Sequence, residues 1–469
     1  MSLSCRKYFV SKRGYGILKS ELTEDETNDI KQKMTVKPNT FGYSENVEEF
    51  SLYLESSKKI YVPKAWGVSM YGDPYKINVS KGDEICCKFK GKLREFQHKP
   101  VNAFLEKCYN EVSKNGFTGG ILQLPPGWGK TVMALYIASK LKRKTLVIVH
   151  KEFLLKQWKD RINQYLEDVT IGIIKGKELK IEADIVLGSL QSISMKDYDD
   201  KIFESFGLVI LDECHHLGAQ VFSQALQKIN VTYSLGLSAT VNRKDGLSKV
   251  FKWYLGDIIY KAKNEETSEV VVELKNYNGA DMNYCNECKM YNNKPNISRM
   301  LNNICECVER TDMIIDDIEK HYMSSKRNIL VLSDRRNHLI EMKNKLNNRN
   351  ILDVGCYIGG MKEHELQKSE EKRILLGTYN MISEGFDLPK LNTLILASPK
   401  SDIEQSIGRI QRQLACDREY NPLVIDVIDT FSVFKNQSKK RQDFYKKRKY
   451  KIIGDVEKVR KQLIEGCLL

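Results

Sequence analysis

The 469-residue chain has no run of about eighteen apolar residues, the length a helix needs to cross a hydrocarbon core, so no membrane-spanning helix is expected. Roughly the first thirty residues carry Lys, Arg, Asp and Glu without an apolar h-region, so no secretory signal is expected either. Short-period repeats and low-complexity tracts are missing. The twelve cysteines lack the even spacing of a disulfide framework. They read as reduced thiols of an intracellular compartment. Negative charge is the scarcer sign: 61 Asp and Glu stand against 75 Lys and Arg, leaving +14 and a pI near 9.0. A polyanionic partner is one reading of that excess, and a merely soluble basic protein is the other.

A chain of this length exceeds one core, so about two to four domains are expected. Residues 1–90 hold short strand-like runs such as Lys59-Ile60-Tyr61-Val62, separated by turn signals at Gly67, Gly72-Asp73-Pro74 and Lys81-Gly82-Asp83. They predict a small mixed or β-rich domain. From 91 to 262, continuous apolar runs at 120–124, 145–149, 184–187, 208–211 and 234–237 alternate with helical-period stretches. That alternation predicts an α/β domain with a doubly wound parallel sheet. The pattern returns over 301–434, with runs at Ile329-Leu330-Val331-Leu332, Ile374-Leu375-Leu376, Leu394-Ile395-Leu396 and Leu423-Val424-Ile425. Two such domains in tandem are expected to leave a ligand cleft between them. Residues 263–300 are polar and Asn-rich and read as a linker running into a helix near Ser298. Residues 435–469 form a basic tail, in which Lys439-Lys440-Arg441 and Lys446-Lys447-Arg448-Lys449 surround Phe444, Tyr445 and Tyr450. Such interleaving suits phosphate contact with base stacking. A solvated terminal helix or a nuclear-localisation-like tract has the same composition.

Chemistry concentrates in a few short segments. Pro125-Pro126-Gly127-Trp128-Gly129-Lys130-Thr131 follows the apolar run Ile121-Leu122-Gln123-Leu124. Backbone N–H groups of such a turn and the next helix N-terminus hold phosphates, the lysine neutralises them, and the threonine can hold Mg²⁺. The general pattern wants a further glycine upstream, where Leu124 stands. Asp212-Glu213-Cys214-His215 follows the strand-like Leu208-Val209-Ile210-Leu211 and supplies a strand-end acid pair. Strand, phosphate loop and acid pair in that order are what a nucleoside triphosphatase needs. The second α/β domain has no phosphate loop, but holds Gln405-Ser406-Ile407-Gly408-Arg409-Ile410-Gln411-Arg412. Two arginines at i and i+3 share a helix face. A guanidinium aimed at developing phosphate charge is worth on the order of 10³–10⁵-fold in rate. A surface helix with salt-bridging arginines is the plainer reading.

The order Gly129-Lys130-Thr131, Asp212-Glu213-Cys214-His215, Ser238-Ala239-Thr240, Gly377-Thr378 through Glu384-Gly385-Phe386-Asp387, and Gln405 to Arg412 resembles superfamily 2 helicases of the DEAD/DEAH type. Leu124-Pro125, Gln157-Trp158, Gly236-Leu237-Ser238-Ala239-Thr240, Arg243-Lys244-Asp245-Gly246 and Leu93-Arg94-Glu95-Phe96-Gln97 resemble the xeroderma-pigmentosum-B and UvsW-like branch. With the basic tail, the arrangement is most similar to the transcription-associated helicases of large cytoplasmic DNA viruses. The resemblance spans about 90 to 430. It implies two tandem RecA-like domains, ATP and Mg²⁺, and an ATP-dependent motor on nucleic acid.

Carried onto this chain, the resemblance implies that Lys130 contacts the β- and γ-phosphates, Thr131 and Asp212 hold Mg²⁺, and Glu213 orients or deprotonates the attacking water. Pro126, Gly127, Gly129, Asp387 and Gln405 would be further nucleotide contacts. Gln97 would read adenine, with Arg94 beside it. Arg409 and Arg412 would reach the γ-phosphate, Arg412 as the finger. His215, Ser238 and Thr240 would couple nucleotide state to domain closure. Ser189, Gln191, Gly359, Gly377 and Thr378 would face the nucleic-acid backbone. The resemblance further implies DNA over RNA, 3′ to 5′ polarity, a role in viral transcription beside an RNA polymerase, a monomer, and a host cytoplasm or virion location. The chain departs from the family at Ser238, where close eukaryotic relatives carry Thr, and at Arg243-Lys244-Asp245, which matches the branch's acidic loop only approximately. No thumb-like insertion stands out in the second domain, which leaves open translocation without processive unwinding. A transcript-release or remodelling factor that does not separate strands is the alternative. The motor of a restriction-type complex is a third reading, and it would need a nuclease subunit.

Cys285, Cys288, Cys305 and Cys307 invite a zinc reading. Residues 298–320 look helical, however, and i, i+2 side chains then point to nearly opposite faces, which argues against a tetrahedral site. Glu273-Leu274-Lys275 reads as an ordinary edge strand rather than a nuclease motif. Cys214 reads as packing and His216 as solvent-facing.

Overall fold

The computed structural model describes residues 7–39, 48–125, 127–213, 218–239, 245–262, 270–279, 281–383, 386, 388–413 and 418–454, without the side chains of 113, 114, 200 and 383. The chain divides into two compact units, Met1–Lys263 and Asn264–Leu469.

In the first unit the apolar runs become the middle of an eight-stranded sheet. Its order is Glu178–Lys180, Ile171–Lys175, Ile185–Ser189, Thr145–Val149, Leu208–Leu211, Tyr233–Ser238, Thr118–Gln123, Ile258–Lys261. Every pairing is parallel except that of Glu178–Lys180 with Ile171–Lys175. Thr145–Val149 and Leu208–Leu211 are buried throughout, as parallel strands covered on both faces must be. Alternation sends Ile121, Leu146, Ile148, Val209 and Leu211 to one core, with Leu190, Phe222 and Phe251 from the helices there. Leu122, Val147, Ile210 and Leu235 go to the other, with Phe104, Met133, Ile137 and Trp158.

The N-terminal residues form a second, five-stranded sheet of order Leu54–Glu55, Lys59–Val62, Gly14–Leu18, Phe9–Ser11, Lys76–Ile77. Its inner residues Val10, Tyr15, Ile17 and Ile60 join the same core as Phe222 and Phe251. Helix Lys64–Tyr71 adds a polar tie: the Lys64 ammonium donates to Asn230 Oδ1 at 3.1 Å and to the Val231 carbonyl at 2.9 Å. These residues are therefore built onto the first unit rather than standing off it. Strand Lys88–Phe89 also pairs with Leu166–Glu167, on the far side of residue 90.

The second unit carries a seven-stranded sheet of order Val354–Tyr357, Ile374–Thr378, Ile329–Ser333, Thr393–Leu396, Leu423–Ile428, Val271–Asn276, Lys451–Ile453, with every pairing parallel. Two expectations change here. Within 263–300, read as linker, Val271–Asn276 pairs along its whole length with Leu423–Ile428. It is flanked on its other side by Lys451–Ile453, so it is not an edge strand. Its polar residues are accommodated because Lys275 bridges Glu273 and Asp317, each at 3.0 Å. The helix expected near Ser298 is Ile297–Glu306, and a second helix, Val308–Ser324, follows it.

The tail is the other change. Ser432–Lys447 is a helix whose Arg441 and Tyr445 are buried. Arg441 Nε donates to Asp426 Oδ1 and Oδ2 at 3.0 and 2.9 Å, and the Tyr445 hydroxyl donates to Asp426 Oδ2 at 2.8 Å. Lys439, Lys440, Lys446, Lys447 and Lys449 remain exposed. Part of the basic and aromatic interleaving is thus core packing under the sheet.

Candidate functional site

The parallel strands of the first unit end in register, and the motif residues collect at that edge. Val149 lies opposite Ser189, Ile148 opposite Leu211, and Gln123 opposite Ser238. The carboxyl ends of parallel strands are where open α/β sheets bind ligands.

After Thr118–Gln123 the chain turns at Leu124, whose N–H donates to the Ser238 carbonyl at 2.8 Å. It enters helix Lys130–Leu141 through Gly127 at φ +85° and Gly129 at φ +73°. Gly129 caps the helix in the left-handed region that glycine adopts without strain. A Cβ there would also sit 2.5 Å from Gln97 Nε2. Gln97, buried in the first turn of helix Glu95–Asn115, donates from Nε2 to the Trp128 carbonyl at 2.7 Å. Its Oε1 accepts from the Arg94 N–H at 2.9 Å. Gln97 and Arg94 therefore brace the glycine loop, with the Trp128 indole edge-on to Phe96 at 4.9 Å. Lys130 and Thr131 occupy the first helical turn, where N–H groups free of intrahelical partners favour phosphate.

Leu208–Leu211 delivers Asp212 and Glu213 to the same edge. Glu213 takes φ +48°, unusual for a residue with a side chain. Its Oε1 accepts a hydrogen bond from the Lys130 ammonium. Asp212 is buried, and its Oδ2 accepts the Trp158 indole N–H at 2.9 Å. Burial, and then the neighbouring Glu213 charge, push the Asp212 carboxyl up to about 6, while Lys130 and the Trp158 hydrogen bond pull it back. A carboxylate pair so placed is one that a divalent cation would relieve. Among the described residues no cluster of three or more His, Cys, Asp or Glu could hold a metal alone. The Thr131 hydroxyl and the Asp212 carboxylate are oxygen donors of the kind that suit Mg²⁺, an ion that needs only one or two protein carboxylates.

Ser238 ends its strand fully buried. Ser189 ends its own strand, and Gln191 stands exposed on helix Leu190–Met195. Pro126, His215, Thr240 and Asp387 lie outside the described residues, as do Cys214 and His216.

In the second unit, Gly359 has nothing within 4 Å of a would-be Cβ, and Gly377 and Thr378 end the strand Ile374–Thr378. Gln405 lies on helix Glu404–Ile407, which stops at Gly408. Arg409 and Arg412 therefore do not share a helix face as expected. Arg409 follows in a turn, is 8% exposed, and donates from Nη1 to the Phe386 carbonyl at 2.6 Å. Arg412, beyond the turn, is partly exposed. Cys305 and Cys307 also diverge: Cys305 Sγ lies 3.8 Å from the Ser333 hydroxyl, and Cys307 Sγ lies 3.2 Å from the Tyr277 hydroxyl.

Sequence reasoning missed Trp158 as the partner of Asp212. Only its place on the apolar face of helix Glu152–Tyr165, with Leu154, Leu155 and Ile162, hinted at burial.

Comparison with known proteins places both units. The family described as "Type III restriction enzyme, res subunit" matches residues 90–243. The "Helicase conserved C-terminal domain" matches 311–414. The chain is 38% identical over 459 residues to the "Putative ATP-dependent RNA helicase L396" of Acanthamoeba polyphaga mimivirus, covering 94% of this chain and 86% of that one. The "Putative ATP-dependent RNA helicase QP509L" of African swine fever virus is 27% identical over 393 residues, covering 78% of this chain and 74% of that one. The solved structure of S. cerevisiae Dbp5 bound to RNA and ADP BeF3 has a TM-score of 0.50 at 13% identity, covering 80% of this chain and 97% of that one. That likeness shows the fold, two tandem RecA-like domains.

Proposed function

Given that this chain belongs to the superfamily 2 helicases, we propose that it is a Mg²⁺-dependent ATPase, activated by nucleic acid, that drives movement along DNA or its unwinding. The observation that supports this most is the Lys130–Glu213 hydrogen bond beside buried Asp212. It sets the ammonium proposed to neutralise phosphate against the carboxylate proposed as base, next in the chain to the carboxylate proposed to hold metal. A triphosphate on the Gly127–Thr131 loop competes with Glu213 for Lys130. Its arrival frees Glu213 to orient and deprotonate water. Thr131 and Asp212 would hold Mg²⁺, which would supply neutralisation of the phosphate charge. Gln97 and Arg94 hold the loop in shape for adenine nucleotide, and Arg412 is the arginine proposed to act on the γ-phosphate. Ser189, Gln191, Gly359, Gly377 and Thr378 are the proposed backbone contacts, with movement 3′ to 5′ and a place in viral transcription.

The resemblance to the xeroderma-pigmentosum-B and UvsW-like branch favours DNA, whereas two viral relatives are described as RNA helicases. ATPase activation by single-stranded DNA against RNA, with strand displacement on tailed duplexes of each, tests the proposal. DNA should activate more strongly and be displaced. Stronger activation by RNA would overturn the DNA assignment, and activation without displacement would leave a translocase or transcript-release factor. Glu213→Gln should lower turnover about 10²–10⁴-fold while ATP still binds.

A further inference from the structure

Helix Leu190–Met195 has six residues, far short of the ~12–15 at which a helix begins to hold itself in water. One side chain gathers its C-terminal carbonyls. The Lys228 ammonium donates to the carbonyls of Ile193 at 3.1 Å, Ser194 at 2.9 Å and Lys196 at 2.7 Å. All three donors of the ammonium are used, on the carbonyls a helix C-terminus leaves over, where positive charge is favoured. On the opposite side the Gly176 N–H donates to Ser192 Oγ at 2.8 Å, and the Lys196 ammonium donates to the Gly176 carbonyl.

Lys228 is the last residue of helix Ala219–Lys228, which starts shortly after Asp212 and Glu213. Phe222, Ala225 and Leu226 of that helix share a core with Leu190 and Ile193. Helix Ala219–Lys228 is thus fastened by its last residue to helix Leu190–Met195, which carries Gln191 and follows directly on Ser189.

We infer that Lys228 is a positioning residue that links helix Ala219–Lys228, the first helix after Asp212 and Glu213 in the chain, to the Ser189–Gln191 turn and so sets how strongly nucleic acid activates hydrolysis. The inference rests on the proposed role of Ser189 and Gln191 as nucleic-acid contacts. With the clasp in place, a backbone bound at Ser189 and Gln191 meets a fixed turn. Without it, binding must first order the turn, and that cost appears as weaker activation rather than slower chemistry.

The test is steady-state ATPase without nucleic acid and across titrations of single-stranded DNA and RNA, for the wild type, Lys228→Met, Lys228→Arg and Ser189→Ala with Gln191→Ala. Lys228→Met should keep unstimulated turnover and raise the half-activating concentration at least about fivefold. Lys228→Arg should fall between, because a planar guanidinium keeps the charge but cannot gather three carbonyls around one nitrogen. It carries the test if Lys228→Met does not fold. Hydrogen exchange at amides 190–196 should quicken in Lys228→Met. An unchanged half-activating concentration overturns the inference, as does an equal loss of unstimulated and stimulated turnover, which marks a general folding role. If Ser189→Ala with Gln191→Ala weakens activation while Lys228→Met does not, the clasp alone is wrong. Absence of activation in the wild type overturns the nucleic-acid reading and the inference together.

Discussion

The indole N–H of Trp158 donates to Asp212 Oδ2 at 2.9 Å, and Trp158 is only 1% exposed. It favours the ionised carboxylate at a position where burial and Glu213 both oppose ionisation. Trp158→Phe keeps most of the apolar bulk and removes the donor. The half-saturating Mg²⁺ concentration for ATP hydrolysis should rise about tenfold, with a smaller change in turnover at saturating Mg²⁺. A magnesium titration of both proteins decides it, and an unchanged midpoint would show that the indole only fills space.

Much of the first-unit site could be read from residue order, because phosphate loop, strand and acid pair are local chemistry. Its bracing could not. Gln97 contacts the Trp128 carbonyl across a turn that only the folded backbone brings together. Strands buried on both faces, such as Thr145–Val149 and Ile329–Ser333, announce themselves as continuous apolar runs. Val271–Asn276 buries alternate residues, and in a polar surrounding that weaker period reads as linker, with Glu273-Leu274-Lys275 at most an edge strand. The arginine pair was misplaced for another reason: helix Glu404–Ile407 ends at Gly408, so i, i+3 spacing no longer implies a common face.

Gly127 and Gly129 separate two costs that sequence patterns merge. Both sit at positive φ, so alanine costs about 1–2 kcal/mol at either. At Gly127 nothing lies within 4 Å of the added Cβ, whereas at Gly129 it meets Gln97 Nε2 at 2.5 Å. Gln97 is tied to the Trp128 carbonyl and the Arg94 N–H, so it cannot swing aside without losing both bonds. Gly129→Ala should therefore weaken ATP binding at least about tenfold more than Gly127→Ala, an extra ~1.4 kcal/mol. Nucleotide titration of the two variants checks the order, and equal losses would mean that Gln97 yields freely.

Composition made the C-terminal basic residues look alike, but their burial divides them. Arg441 is 1% exposed and paired with Asp426, while Lys439 and Lys447 face solvent. Arg441→Met strands a buried carboxylate and should cost about 3–5 kcal/mol. Lys439→Ala and Lys447→Ala should each change stability by no more than about 0.5 kcal/mol. Urea unfolding of the three variants measures this. A mild Arg441→Met would mean that Tyr445 alone satisfies Asp426.

His338 gives the second unit a predictable response to acid. The ring is 2% exposed, with Nδ1 3.0 Å from the Ser333 hydroxyl and Nε2 3.2 Å from the Thr311 hydroxyl. Burial, with the Arg310 charge adding to it, holds the imidazole down at about 3. In the unfolded chain the same ring takes its proton near its ordinary value of about 6.5. The folded state is thus the one that resists protonation. The stability this ring contributes is complete above about pH 6.5 and is lost at about 1.4 kcal/mol per pH unit below it, until the folded ring titrates. His338→Asn sacrifices some packing at every pH but removes the titration. Between pH 6.5 and 5, above the range of most carboxylates, the wild-type Tm should fall more steeply than that of His338→Asn. Thermal unfolding at half-unit pH steps reads the two slopes, and parallel slopes would mean that the buried ring accepts its proton without strain.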